Sequence, residues 1–270
     1  MKSGVAAILV AVLQLAGHLR QGPGVVLVLT AGEETGTEGA RHLVEVGDLL
    51  GPAGAIVVAE PTSNYPLVGH KGALWLRGCT RGVTAHASMP ERGDNAIYKA
   101  ARAVATLERF AFDETPHAVL GAPTLNVGTI QGGLNVNSVP DRAEIGIDIR
   151  TIPGQDRAAL RRRLGTELGD DVELTPAVDL GSLWTDPDTP WVQRVFEIME
   201  PLLAEPIRPR TATYFTDGAV LAPAYGNPPT IILGPGEPAL AHQTDEYCLI
   251  ERIDQAVAAN LSITRQWCGV

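Results

Sequence analysis

The chain predicts an α/β fold with two domains: an outer domain with a mixed sheet flanked by helices, residues 1–65 and 179–270, and an inserted ferredoxin-like α+β domain over residues 66–178. Three observations lead there. Two apolar, β-branched runs near the front, Val25–Thr30 (VVLVLT) and Ala55–Ala59 (AIVVA), have the composition of buried strands and are separated by helical patterns. From about Tyr65 the periods run β-α-β-β-α-β, the signature of a split βαβ unit. After residue 179 the pattern returns to helix, strand and helix, so the second domain sits inside the first.

In order, Ser3–Leu19 reads as a helix with Ser3 as N-cap, and Gly22-Pro23-Gly24 turns the chain into the first strand. Glu38–Leu50 is helical and stops at Gly51-Pro52, before the second strand. In the middle, Leu67–Thr80 is a strand followed by a turn at Arg81–Thr84. Asp94–Phe110 is a helix capped by Asp94, with Ala96, Ile97, Ala100, Ala103, Val104 and Leu107 on one face. Thr124–Gln131 and the strictly alternating Arg142–Arg150 (RAEIGIDIR) are strands; Gln155–Leu168 is a helix and Asp171–Thr175 a short strand. Pro190–Leu203, Thr230–Leu233 and Glu246–Cys268 close the chain as helix, strand and helix. No internal repeat occurs at solenoid spacing.

Composition narrows the function classes. With 45% hydrophobic residues in 270, the chain can bury a full core. A formal charge of −10, with no basic run beyond Arg161–Arg163, argues against nucleic acid as a partner. Cys79, Cys248 and Cys268 have no short paired spacing, which argues against a disulfide framework or a cysteine zinc site and fits a reducing, cytoplasmic setting. The apolar stretch Val5–Leu15 is too short to span a bilayer and reads as a helix of the domain rather than a secretory leader, so no membrane association is expected.

Each front strand ends in acid. Val25–Thr30 delivers Glu33 and Glu34, followed by Thr35, Gly36, Thr37 and Gly39; Ala55–Ala59 delivers Glu60, which Pro61 holds extended. An isolated Glu-Glu is a solvated turn, and an isolated Glu-Pro only a turn. Two such acids on the carboxyl rim of one sheet make a ligand site instead. Adjacent carboxylates raise one another's pKa unless a cation or proton separates them, which suggests one glutamate on a metal and its neighbour moving a proton. Hard oxygen donors with histidine suit zinc, manganese or cobalt. Among the histidines, His18, His42 and His117 read as ordinary surface or boundary residues, and His70 sits in a strand where packing is as good a role as chemistry. His86, among small residues in TAHAS, and His242, in the loop after the last strand, are the candidates for a site.

The runs GEETGTEG, AEPT, HKG, RGVTAHASMPERGDNAI, NSVPDRAEIGIDIR, TDGA and GPGEPALAHQTDEY, in this order, resemble the di-zinc amidohydrolase and metallopeptidase family of acetylornithine deacetylase, succinyl-diaminopimelate desuccinylase, aminoacylase and glutamate carboxypeptidase. The likeness spans nearly the whole chain. It implies a zinc-dependent hydrolase acting on the amide bond of N-acyl amino acids or small peptides, with two zinc ions per subunit, and a homodimer formed through the inserted lid domain. It also implies roles. Glu33 would be the general base and acid, Glu34 and His242 ligands of one zinc, and Glu60 a ligand of the other. His86 would reach the oxyanion, often from the partner subunit; Asn137 and Arg150 would hold the substrate carboxylate or oxyanion, and Asp217 would line the pocket. Apart from the resemblance, Arg150 reads equally well as a strand-end ion-pair partner. The alternating Thr124–Gln131 strand is the candidate edge for symmetric pairing.

One part of the family pattern has no counterpart. Members carry, before the helix that opens this chain, a strand ending in His-x-Asp and a glycine-rich loop ending in Asp-Met-Lys, and Met1-Lys2-Ser3-Gly4 matches the residues just after that aspartate. The resemblance therefore leaves one histidine ligand and the bridging aspartate unmatched. The expectation is a fragment of such an enzyme that binds zinc poorly. The alternative is a catalytically silent, shortened protein acting as a dimerisation or binding module.

Overall fold

A computed structural model describes residues 1–18, 23–47 and 51–270. The ends of the first two expected helices, at Leu19 and Leu50, and Gly22 of the expected turn lie outside the described residues. The chain divides into two compact units, Met1–His70 with Leu183–Val270, and Lys71–Ser182.

Unit 1 opens with α1 (Lys2–Leu15), whose Gly4, Ala7, Ala11 and Leu15 recur at helical spacing and are buried. Met1, not Ser3, stands at the N-cap, with no side-chain cap; Ser3 is already inside the helix. Then come α2 (Glu38–Val46), which ends where Gly47 takes φ +81°, β1 (Ile56–Val58) and β2 (Gly69–His70). The expected strand Val25–Thr30 is absent. A strand exists through its hydrogen-bond ladder, and Val25–Leu29 makes no backbone hydrogen bond to a described residue. Val26 and Leu29 are accordingly 59% and 66% exposed.

Unit 2 follows with β3 (Gly72–Arg81), β4 (Ala85–His86), α3 (Ala96–Glu108), β5 (Thr124–Gly132), β6 (Ser138–Val139), β7 (Arg142–Thr151), α4 (Arg157–Leu168) and β8 (Val172–Leu180). The single strand expected over Leu67–Thr80 is thus two, divided at Lys71 between the units. The four long strands form one antiparallel sheet in the order β5-β7-β3-β8. Strict alternation in β7 sends Ala143, Ile145, Ile147 and Ile149 to one face, where they pack on Ala96, Ala100, Ala103 and Leu107 of α3 and Leu160 and Leu164 of α4. Asn95 rather than Asp94 caps α3, accepting from the amides of Ile97 and Tyr98, while Asp94 pairs with Lys99. The last strand runs to Leu180, beyond the expected Thr175, and carries Pro176 at a register shift. Proline is tolerated there because β8 is an edge strand and needs no donor on its open side.

The chain returns to unit 1 through β9 (Leu183–Trp184), α5 (Pro190–Leu203), α6 (Gly218–Ala224), β10 (Thr230–Ile232) and α7 (Ile250–Cys268). The closing helix starts at Ile250, four residues after the expected Glu246. β1 pairs in parallel with β10, Val57 opposite Ile231, and β2 pairs antiparallel with β9. Val68, Val192, Val195, Met199, Ile231, Leu233, Ala259 and Ile263 form a continuous buried core. No helix among the described residues is long and apolar enough to cross a membrane.

Candidate active site

Within unit 1, three chain segments bring the acids and one imidazole together. Glu33 and Glu34 occupy a tight turn that begins at Gly32 (φ +75°); the amides of Gly36 and Thr37 both donate to the Glu33 carbonyl at 3.0 Å before α2 starts. Glu60 follows the end of β1. His242, itself at φ +62°, lies beyond β10 and brings Nε2 to 3.6 Å from Glu34 Oε1. Both of these side chains are exposed, so their attraction adds little to stability.

Their charges are not balanced. The Glu33 carboxyl is pushed up to about 8, first by burial and then by the negative charges of Glu60, Glu34 and Asp217. Glu60 rises to about 7, chiefly through burial; Glu34 and Asp217 add to the rise, and the Met1 ammonium and His242 oppose it. Burial also raises Asp217, against a hydrogen bond that Thr30 Oγ1 donates to its Oδ2, while its Oδ1 is buried without a partner among the described residues. Glu33, Glu34, Glu60 and Asp217 all line a cleft of about 860 Å³, whose other walls include Val25, Leu29 and Val57.

Glu60 and His242 are also connected through the backbone. The Thr62 and Asn64 amides donate to the Gly234 carbonyl at 3.1 and 2.8 Å, and the Ser63 amide donates to that of Gly236 at 2.7 Å. Ser63 Oγ donates to Glu237 Oε2 at 2.9 Å, and the same oxygen takes a 3.1 Å hydrogen bond from Arg252. Asn64 Nδ2 donates to the Arg252 carbonyl, and Tyr214 Oη donates to the Pro61 carbonyl. The loop after Glu60 and the loop leading to His242 are therefore laced together. A Cβ on Gly234 would stand 2.5 Å from the Glu60 carbonyl oxygen, a backbone contact that cannot swing away. Gly234→Ala is expected to cost about 1–3 kcal/mol and to displace Glu60, read as a lower urea midpoint; an unchanged midpoint would show the lacing to be loose. Thr30, Ser63, Asn64 and Tyr214 escaped the sequence reading. Only Asn64, a turn-former after Pro61, carried a local signal.

The other candidates belong to unit 2. His86 is exposed in β4, its Nδ1 2.7 Å from Ser88 Oγ. Asn137 is exposed, and its carbonyl accepts from the Ala87 amide at 3.0 Å, which places it beside His86. Arg150 makes a two-pronged contact with Asp148, Nε and Nη2 each at 2.9 Å from a carboxylate oxygen, and its charge helps lower the pKa of Lys71, behind the larger effect of burial.

A metal centre needs at least three donors converging on a point. Among the described residues no group of three His, Cys, Asp or Glu side chains does so; Glu34 and His242 face each other at 3.6 Å. Among the described residues no complete donor set for a dinuclear site is assembled.

Comparison with known proteins gives the context. The family described as peptidase dimerisation domain matches residues 68–173. An acetylornithine deacetylase from Myxococcus xanthus is 31% identical over 90% of this chain and 65% of its own length. A probable succinyl-diaminopimelate desuccinylase from Staphylococcus epidermidis is 30% identical over 92% of this chain and 68% of its own length. The chain thus spans about two thirds of the length of these relatives. Among solved structures, a metallo-carboxypeptidase from Sulfolobus solfataricus superposes with TM-score 0.82 at 17% identity, covering 100% of this chain and 76% of its own. A dinuclear metal-binding peptidase from Bacillus subtilis gives TM-score 0.71 at 17% identity, over 97% of this chain and 71% of its own. Sequence likeness along almost all of the chain, and the fold shared with these peptidases, show that the chain belongs to the M20 family of metallopeptidases and deacetylases.

Proposed function

We propose that the chain acts in the metal-dependent hydrolysis of the amide bond of N-acyl amino acids or small peptides. The observation that carries this is the position of Glu33, half-buried on the wall of the cleft beside Glu34, Glu60 and Asp217, where burial and these acids push its carboxyl up to about 8. A carboxyl poised close to working pH can take a proton from an attacking water and return it to the departing amine, which an ordinary glutamate does poorly. Unit 1 is the catalytic part and unit 2 the lid and dimerisation part of a homodimer. The roles of His86, Asn137 and Arg150 at oxyanion and substrate rest on the motifs that contain them, and those of Glu34, Glu60 and His242 as metal ligands likewise. The family is metal-dependent, with zinc as the metal proposed here. With Glu34 and His242 facing each other as donors, weak zinc binding and slow turnover are the outcomes proposed for the chain.

The test is amine release from N-acetylornithine, N-succinyl-diaminopimelate and a tripeptide by the purified chain with excess zinc, cobalt or manganese. Slow turnover on at least one of them, abolished by Glu33→Gln, is the expected result; turnover unaffected by that change removes Glu33 from its role. Complete inactivity with every metal favours the second reading, a silent relative acting as a dimerisation module.

A further inference from the structure

Asp217 stands at the N-cap of α6, where a carboxylate ordinarily accepts hydrogen bonds from the first amides of its own helix; here its side chain makes no such bond. The Gly218 amide donates instead to Thr216 Oγ1 at 3.1 Å, and Thr216, fully buried, keeps that hydroxyl 3.2 Å from Nε2 of the equally buried His70. With that amide satisfied one residue early, the Asp217 carboxylate reaches a segment 187 residues away, where its Oδ2 accepts from Thr30 Oγ1. Its Oδ1 stays buried without a partner among the described residues. An unpaired buried oxygen lowers stability, so stability alone does not account for a carboxylate at this position.

What Thr30 holds is the approach to Glu33. Upstream, Val25–Leu29 makes no backbone hydrogen bond to a described residue. Downstream the chain is fixed. The Gly39 amide donates to the Ala31 carbonyl at 2.9 Å, the Glu38 amide to that of Gly32 at 3.1 Å, and the Gly36 and Thr37 amides to that of Glu33, while α2, which follows, packs against α6. Thr30 is the last residue before this fixed turn. The strand-like run, lacking a ladder, is thus tied at its junction with the turn by a side-chain hydrogen bond to the residue that opens α6. Thr30, Glu33, Glu34 and Asp217 line the same cleft.

We propose that Asp217 is a positioning residue for amide hydrolysis: through the hydrogen bond from Thr30 it sets where the turn begins and so holds the Glu33 carboxyl on the cleft wall. The inference rests on the reading of Glu33 given above and adds the group that aims it. In this role Asp217 acts through Thr30 and the turn.

The test uses the full chain and four variants. Thr30→Val keeps the shape of the side chain and removes the donor; Asp217→Ala removes the acceptor; a third variant combines the two; and Asp217→Asn keeps an oxygen that can still accept. Amide exchange at Gly36, Thr37, Glu38 and Gly39 is expected to quicken about tenfold in each of the first two, no further in the combination, and to stay near that of the parent in Asp217→Asn. Exchange in β10 and α7 should not change, which separates a lost tie from general loosening. In the amine-release assay with metal, Thr30→Val is expected to lower kcat about tenfold or more with KM within about twofold of the parent. Exchange that is unchanged, that quickens equally in β10 and α7, or that quickens at the turn with kcat intact, overturns the positioning role and leaves the reading of Glu33 standing. A parent chain that releases no amine overturns that reading, and this role with it.

Discussion

Glu33→Gln is expected to make the metal-free chain more stable at pH 8 and, in the same protein, to remove hydrolysis. The folded state holds the Glu33 carboxyl at about 8 against an ordinary value of 4.5. Because the folded value is the higher one, its contribution is fully present below about 4.5 and is lost as pH rises through 8. Glutamine stays neutral and keeps nearly the same shape, so it avoids that loss. With allowance for solvent screening of a half-buried group, the gain at pH 8 is about 2 kcal/mol and falls toward zero near pH 5. Turnover moves the other way, by roughly 10²–10⁴-fold, the usual worth of a positioned general base. Urea titrations in EDTA at the two pH values, set beside the amine-release assay, measure both. A variant that is less stable at pH 8, or equally active, contradicts the electrostatic picture of the site. A stabilising change that removes activity is the pattern of a strained functional group rather than of a structural one.

Ile149→Ala is expected to be among the most damaging substitutions in unit 2. Ile149 is fully buried on the central strand β7, directly opposite Leu74 on β3 and Leu125 on β5, in the core that α3 and α4 cover. Truncation removes the transfer free energy of the lost carbons and leaves a cavity that flanking strands cannot close, about 2–5 kcal/mol in all. Amide exchange along β3 and β7 reports it without interference from unit 1. Tyr98→Ala, on the exposed side of α3, is the comparison and should stay within about 0.5 kcal/mol. Equal losses at the two positions would contradict the assignment of the core.

Where a side chain's environment is set by its neighbours in sequence, the chain could be read directly. The alternation of RAEIGIDIR forces one face of β7 inward whatever surrounds it, and β-α-β-β-α-β order leads to the observed sheet. The run VVLVLT misled, because apolar, β-branched composition states a capacity for pairing while a strand also needs a partner with free backbone groups. Pro176 misled in the other direction, since an edge position lets a strand continue through proline.

The site divides the same way. Glu33, Glu34 and Glu60 could be picked out because strand-like runs end in them, and His242 because of its loop and motif. Asp217's hydrogen bond from Thr30 and Ser63's to Glu237 cross 187 and 174 residues of chain, and no local pattern announces them. The sequence also offered three metal ligands, Glu34, Glu60 and His242, at one rim. The fold brings two of them face to face and keeps Glu60 within electrostatic reach of both, without making a closed donor set.

The most direct measurement is zinc titration of the purified chain at pH 7.5, by calorimetry with elemental analysis of the dialysed product. Two facing donors beside a crowd of repelling carboxylates predict no more than one zinc ion per chain, held at micromolar strength or weaker, and lost on His242→Ala. Two zinc ions per chain that survive dialysis, or binding indifferent to His242, would contradict it.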